Sequence, residues 1–276
     1  ETRGNNVDAH LDRDGNDLPD LPRPQGAPAR TFGSSLDLTQ NPTANSQAAV
    51  VQVFYWCNWM HDRLYELGFT EAAGNFQNDN LGRGGVGNDA VQADVQDAAM
   101  VNNSNFDTSP DGLSGRMQIG IFTAANPDRD AAFDAEVVLH EYTHGLTERL
   151  IVGDSPMASL QGSGLSEGWS DFYALALLSE PTDDPNGTYP IGAYVAYRGV
   201  SFSENYYFGI RRYPYSTDML KNPLTFKDID PTQASNYPAV PRSPITDTRP
   251  DEYHSLGELW CVTLWEIRAN LIQKYG

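Results

Sequence analysis

The sequence predicts an α+β protein, and three stretches carry that prediction. From Ser46 to Gly68, apolar or aromatic residues fall at 50, 53, 54, 57, 60, 64 and 67, the spacing of one helix face. Residues 69–125 are rich in Gly, Asn and Asp and hold short alternating runs such as MQIGIF (117–122), which read as strands between irregular loops. After Ala131 the pattern is helical again, apart from a Tyr/Pro/Asp-rich insertion at about 181–252. A chain of 276 residues suffices for one large domain or two lobes sharing a cleft. The expected division is 1–150, with an extended arm, strands and a helix, and 151–276, mainly helical.

Composition narrows the class. With 39% hydrophobic and 11% aromatic residues the chain is globular rather than disordered or fibrous. Eighteen Lys+Arg against 37 Asp+Glu give a formal charge of −19, which repels nucleic acid and anionic membranes. No run approaches the roughly 18–20 apolar residues of a membrane span. The first residues, ETRGNNVDAHLDRDGN, lack the basic start and apolar core of a signal peptide, so either none existed or a leader has been removed. A soluble, secreted protein is expected. Cys57 and Cys261 sit in aromatic, helix-like segments where a free thiol packs as a small hydrophobe, and spacing alone does not show whether they pair.

Residues 1–46, rich in Pro, Asn, Asp and Gly, show no sustained period and read as an ordered arm. Within it Asp12, Asp14, Asn16, Asp17 and Asp20 offer hard oxygen donors that can hold Ca²⁺. Arg23 stands where an EF-hand loop needs its bidentate Glu, which favours a plain acidic turn. The next segment, 46–68, is the long helix, closed by Gly68, and its lone His61 reads as a structural residue. GRGGVGND (82–89) lacks a phosphate-loop Lys-Ser/Thr and is a turn.

DAEVVLHEYTHGLTERL contains His140, Glu141 and His144 as HExxH. On a helix, positions i and i+4 share a face, so both imidazoles reach one zinc ion. Glu141, turned about 100° away, is placed to act as general base on a water activated there. Chance yields this pattern roughly 0.004 times in such a chain. Val137, Val138 and Leu139 precede it in an apolar run, and Asp134 and Glu136 suit the helix N-terminus. A catalytic zinc takes three protein ligands and keeps one open position. GSGLSEGWSDFYALALL (162–178) reads as a loop entering a helix, with Glu167 as third ligand and Asp171, four residues on, set to accept a ligand histidine's ring N–H.

HEYTHGLTERL followed by EGWSDF, together with FYWCNWMHDRLYELGFTEAAGNFQ, GRGGVGNDAVQADVQD, NNSNFDTSPDGLSGRMQI, GIRRYPYSTDM and YHSLGELW, resembles the fungalysin family of secreted zinc metallopeptidases, relatives of thermolysin. The resemblance runs from about Gly4 to about Glu266. It implies a two-lobed thermolysin-like fold with the zinc helix at the cleft floor, secretion as a proenzyme inhibited by its own propeptide, and endopeptidase activity on proteins. It assigns His140, His144 and Glu167 to zinc, Glu141 to catalysis, and His254 to the oxyanion. Asn103 and Ser104 resemble edge-strand residues that pair with substrate backbone, and Arg211 or Arg212 resembles an arginine gripping a substrate carbonyl. Val137, one turn before His140, either borders the pocket for the residue after the cut or packs in the core. The family pattern carries further helices where this chain stops at LIQKYG, so the C-terminal lobe reads as shortened: either the form is naturally short or trimmed by proteolysis, or another chain or segment completes it.

Two rivals stand beside a zinc endopeptidase. An aminopeptidase needs a motif to capture the substrate's free amine, and no such Gly-rich acidic motif lies upstream. A catalytically weak or inactive metal-stabilised binding protein of the same fold has no use for Glu141.

Overall fold

A computed structural model describes residues 1–276 except 29, 152–156, 181, 197–205, 236 and 245–248. The chain is mixed α and β and divides into two compact units, Glu1–Val152 and Gly153–Gly276.

The first unit is built on a four-stranded sheet of order β1-β2-β4-β3: β1 (Val7–Leu11), β2 (Val91–Val95), β3 (Ser104–Asp107) and β4 (Arg116–Ile119). β1 and β4 each run parallel to β2, and β3 closes the edge antiparallel to β4. β1 corrects the reading of residues 1–46 as an arm without regular structure. Its five residues are all buried, so no alternation appears in the sequence. The polar residues of this strand, Asp8 and His10, find partners: His10 Nε2 lies 2.7 Å from the buried Asp94, and Asp8 pairs with the buried side chain of Arg23 and, from the surface, with Arg3. Those carboxylates outweigh burial and hold the His10 pKa above its ordinary value.

The run 117–122 is not one strand. It breaks at Gly120, between β4 and β5 (Ile121–Phe122), which pairs with β6 (Arg129–Asp130). A Cβ at Gly120 would lie 1.6 Å from the Met100 carbonyl oxygen, so only glycine lets the loop pass.

Two helices cover the sheet. α1 (Ser46–Glu66) packs on β1 and β2, burying Val50, Val53, Cys57, Met60 and Leu64. His61 is hydrogen-bonded to Asp62 and Asn75. α2 (Ala135–Leu150) packs on β3 and against α1. Cys57 is buried and free, and burial holds its thiol far above the usual range.

In the second unit α3 (Leu160–Leu178) packs along α4 (Tyr253–Tyr275). Trp169 and Trp260 meet edge to face at 6.0 Å, and Trp265, 1% exposed, meets Tyr189 at 4.9 Å with the rings tilted by 52°. Tyr213, Leu224 and Val240 form a second apolar cluster. Cys261 is buried and free. Among the described residues no helix is long and apolar enough to cross a membrane.

Candidate metal centre

In the first unit α2 carries the HExxH residues. Its N-terminal turn has Asp134 at the cap and Glu136 inside, both favourable to the helix dipole. Val137, Val138, Leu139 and Tyr142 are buried, which fixes the helix against the sheet and α1. His140 is buried and His144 half-buried, and their Nε2 atoms converge to 3.0 Å with the rings at 81°. Two imidazole nitrogens on one tetrahedral zinc, each about 2.0–2.1 Å from it, stand about 3.3 Å apart. The pair therefore suits a shared divalent ion with little adjustment. Glu141 is buried beside it, 6% exposed. Val137 is 5% exposed and one turn before His140. Ser104 opens β3 at the outer edge of the sheet, with the exposed Asn103 before it.

The 12–20 segment folds into a turn satisfied largely by its own donors. Asp12 accepts the amides of Asn16 and Asp17, Asp14 accepts the Asn16 side chain, and Asp20 accepts the Arg13 amide. No three of Asp12, Asp14, Asp17 and Asp20 bring carboxylate oxygens within 4.8 Å of one another. Asp12 groups instead with the buried Asp94 and Asp97. Asp94 already pairs with the His10 ring and Arg116, and Asp97 accepts the Gln118 side chain and the Ala99 amide.

The second unit brings Glu167, Asp171, Arg211 and His254 together. Ser159 caps α3 by accepting the Gly162 amide, and Glu167 and Asp171 lie buried one turn apart on that helix. Arg211 donates through Nε and Nη2 to the two oxygens of Asp171, at 2.6 and 2.7 Å, and reaches Glu167 at 3.4 Å. Tyr215 donates its hydroxyl to the same Asp171 oxygen that takes Nε. Burial first, then the Asp171 charge, hold the Tyr215 pKa well above its ordinary value. Burial alone would lower Arg211, but the two carboxylates win and raise it further. Arg212 is separate: it donates to Glu258 at 2.8 Å and to the Ser255 carbonyl. Of the two arginines, Arg211 is the one held beside Glu167.

His254 is the second residue of α4. Glu252, the N-cap, accepts the backbone amides of His254 and Ser255, and its Oε1 lies 2.7 Å from His254 Nδ1. Nε2 is left toward Glu167, 3.6 Å away. Burial would raise the Glu252 carboxyl, yet its hydrogen bonds to His254 hold it below its usual value, so it stays charged. Sequence reasoning missed Glu252, Tyr215 and Glu258. Only Glu252 left a signal, an acid immediately before a helix and two residues before the histidine.

A helix presenting HExxH with converged imidazoles is an arrangement that can hold a divalent metal ion. The family comparison is more specific: the model described as "Fungalysin metallopeptidase (M36)" matches residues 1–276, and the chain belongs to that family. It is 41% identical over 280 residues to extracellular metalloproteinase 1 of Trichophyton equinum, a match covering all of this chain and 41% of that protein. To extracellular metalloproteinase 5 of Arthroderma gypseum it is 40% identical, covering 39% of that protein. To the probable extracellular metalloproteinase 2 of Arthroderma benhamiae it is 38% identical, covering 40%. The chain thus spans about two-fifths of the length of the curated relatives it matches.

Proposed function

We propose that the chain is the zinc-holding part of a secreted endopeptidase that cuts internal peptide bonds of proteins and peptides, with a propeptide as inhibitor before maturation. The observation that carries the reading is the convergence of the His140 and His144 Nε2 atoms on α2, with Glu141 buried beside them. The extracellular names of its relatives support secretion.

In this reading His140, His144 and Glu167 hold zinc. When bound there, zinc supplies a Lewis acid that polarises the scissile carbonyl and lowers the pKa of water toward about 7. Glu141 takes the proton of the attacking water and passes it to the leaving amine. His254, its Nδ1 held by the charged Glu252, presents Nε2 to the developing oxyanion. Asp171 and Tyr215 fix Arg211, which grips a substrate carbonyl. Asn103 and Ser104 at the sheet edge pair with substrate backbone, as an edge strand can. Val137 borders the pocket for the residue after the cut.

Metal analysis and casein proteolysis with and without a strong chelator test the reading. Glu141→Gln should keep stoichiometric zinc and lose about 10²–10⁴-fold in kcat. His254→Ala should lose about 10²–10³-fold, also in kcat rather than KM. A zinc-loaded wild type that cuts nothing across a broad peptide library leaves the metal-stabilised binding protein as the reading instead.

A further inference from the structure

Arg149 has more partners than the end of a helix requires. It lies in the last turn of α2, and its side chain is 4% exposed. Its guanidinium donates to Asp89 at 2.7 Å and to the carbonyls of Gly74, Ser109 and Leu113 at 2.9, 3.0 and 3.3 Å. It also lies 3.7 Å from Asp111 and 4.5 Å over the Phe76 ring. Asp89 in turn accepts the amides of Gln77 and Gly112. One side chain therefore ties α2 to three loops, including the Gly-rich turn at 82–89.

The direction of this anchor matters. At about 100° per residue, Arg149 projects about 140° from His144 and about 180° from His140. Tyr142, which meets the same Phe76 ring edge to face at 5.7 Å, projects about 160–200° from the two histidines. The face opposite the imidazoles is thus held by a guanidinium fan and a buried tyrosine on one shared aromatic platform, Phe76, which is 0% exposed. An imidazole nitrogen stands roughly 6 Å from the helix axis, so a rotation of α2 by about 10° moves it by about 1 Å. Misplacement on that scale costs about 10²-fold in a catalytic site.

We infer that Arg149 is a positioning residue: it sets the rotation of α2, and through it the placement of His140, His144 and Glu141 for the metal. The inference rests on the zinc reading above. Whole-chain variants Arg149→Met, Arg149→Lys and Asp111→Asn test it, each measured well below its melting temperature. The readouts are zinc affinity by chelator competition, the visible absorption of the Co²⁺-substituted protein, and kcat against KM. Arg149→Met should weaken zinc about tenfold or more, alter the Co²⁺ spectrum, and lower kcat with KM little changed. Arg149→Lys, which keeps a donor and the charge, should recover part of each. If Arg149→Met melts earlier yet keeps wild-type zinc affinity and Co²⁺ spectrum, Arg149 is a stability residue and the inference is overturned. Should that variant not fold, Asp111→Asn decides, because it loosens the cage from its half-exposed side. A two- to threefold loss of zinc affinity with an altered spectrum supports positioning, and wild-type values overturn it. A wild type that takes up no zinc overturns the zinc reading directly, and this inference with it. Failure in the variants alone overturns only the role of Arg149.

Discussion

At Asp130, 1% exposed, burial and hydrogen bonding pull in opposite directions. Its Oδ1 accepts the Ala132 amide and its Oδ2 the Gln96 side chain, whose amide also holds the Pro42 carbonyl. The carboxylate thereby joins the approaches to α1 and α2. Burial outweighs these bonds and raises its pKa from the ordinary 3.8 to about 6. The folded state then binds the proton more tightly than the unfolded state. This group's contribution is fully present below about pH 4 and is lost as pH rises through about 6. Between pH 4.5 and 7.5 the loss amounts to about 2 kcal/mol. Urea unfolding of wild type and Asp130→Asn at both pH values measures it: the stability difference between the two proteins should shift by about 2 kcal/mol in favour of the variant at the higher pH. An unchanged difference would mean that Asp130 titrates normally. The same scale explains what the sequence disclosed. HExxH is legible because its chemistry is local to one helical turn. Arg211 with Asp171, forty residues apart, and Arg149 with Asp89, sixty apart, leave no local pattern because the partners meet only through the fold.

Among the elements, α1 and the HExxH helix α2 were legible from period and from the acidic residues around the N-terminus of α2, while β1 was not. A strand buried on both faces shows no alternation, and Asp8 and His10 disguise it further until their partners Arg23 and Asp94 are known. The sequence also does not show how closely elements approach. α2 meets β3 at Gly145, where an added Cβ would lie 2.6 Å from Cε1 of the Phe106 ring. Two effects of Gly145→Ala compete. Alanine favours a helix interior by about 1 kcal/mol over glycine. Overpacking a filled site costs about 1–3 kcal/mol, and here the ring is hemmed in by Phe76 at 5.6 Å and Tyr142 at 6.3 Å. Crowding should win, and Gly145→Ala should be less stable than wild type by about 1 kcal/mol in chemical unfolding. A more stable variant would show that Phe106 has room to move and that helix propensity governs the site.

Over the whole molecule the dominant feature is charge, −19 on 276 residues. Two kinds of ion pair respond differently to salt. Pairs such as Arg211 with Asp171 and Arg212 with Glu258 are 5% exposed or less, and salt screens them little. Exposed pairs such as Arg63 with Glu66 and Arg13 with Asp20 contribute at most about 1 kcal/mol each and weaken as salt rises. Against them stand nineteen uncompensated negative charges. Two such charges 10 Å apart in water repel by about 0.4 kcal/mol, and with several neighbours each the sum reaches several kcal/mol in the compact state. The unfolded chain relieves much of that repulsion by expanding. The screening length falls from about 30 Å at 0.01 M salt to about 10 Å at 0.1 M, so salt removes more repulsion than attraction. The melting temperature at pH 7 should therefore rise by a few degrees between 10 and 200 mM NaCl, about 1 kcal/mol or more for a chain of this length. Solubility should pass through a minimum near the isoelectric point of about 4.4, where the net charge vanishes. Calorimetry across the salt series decides the first point. A melting temperature that falls with salt would mean that the exposed pairs, rather than the net charge, set the electrostatic balance of the fold.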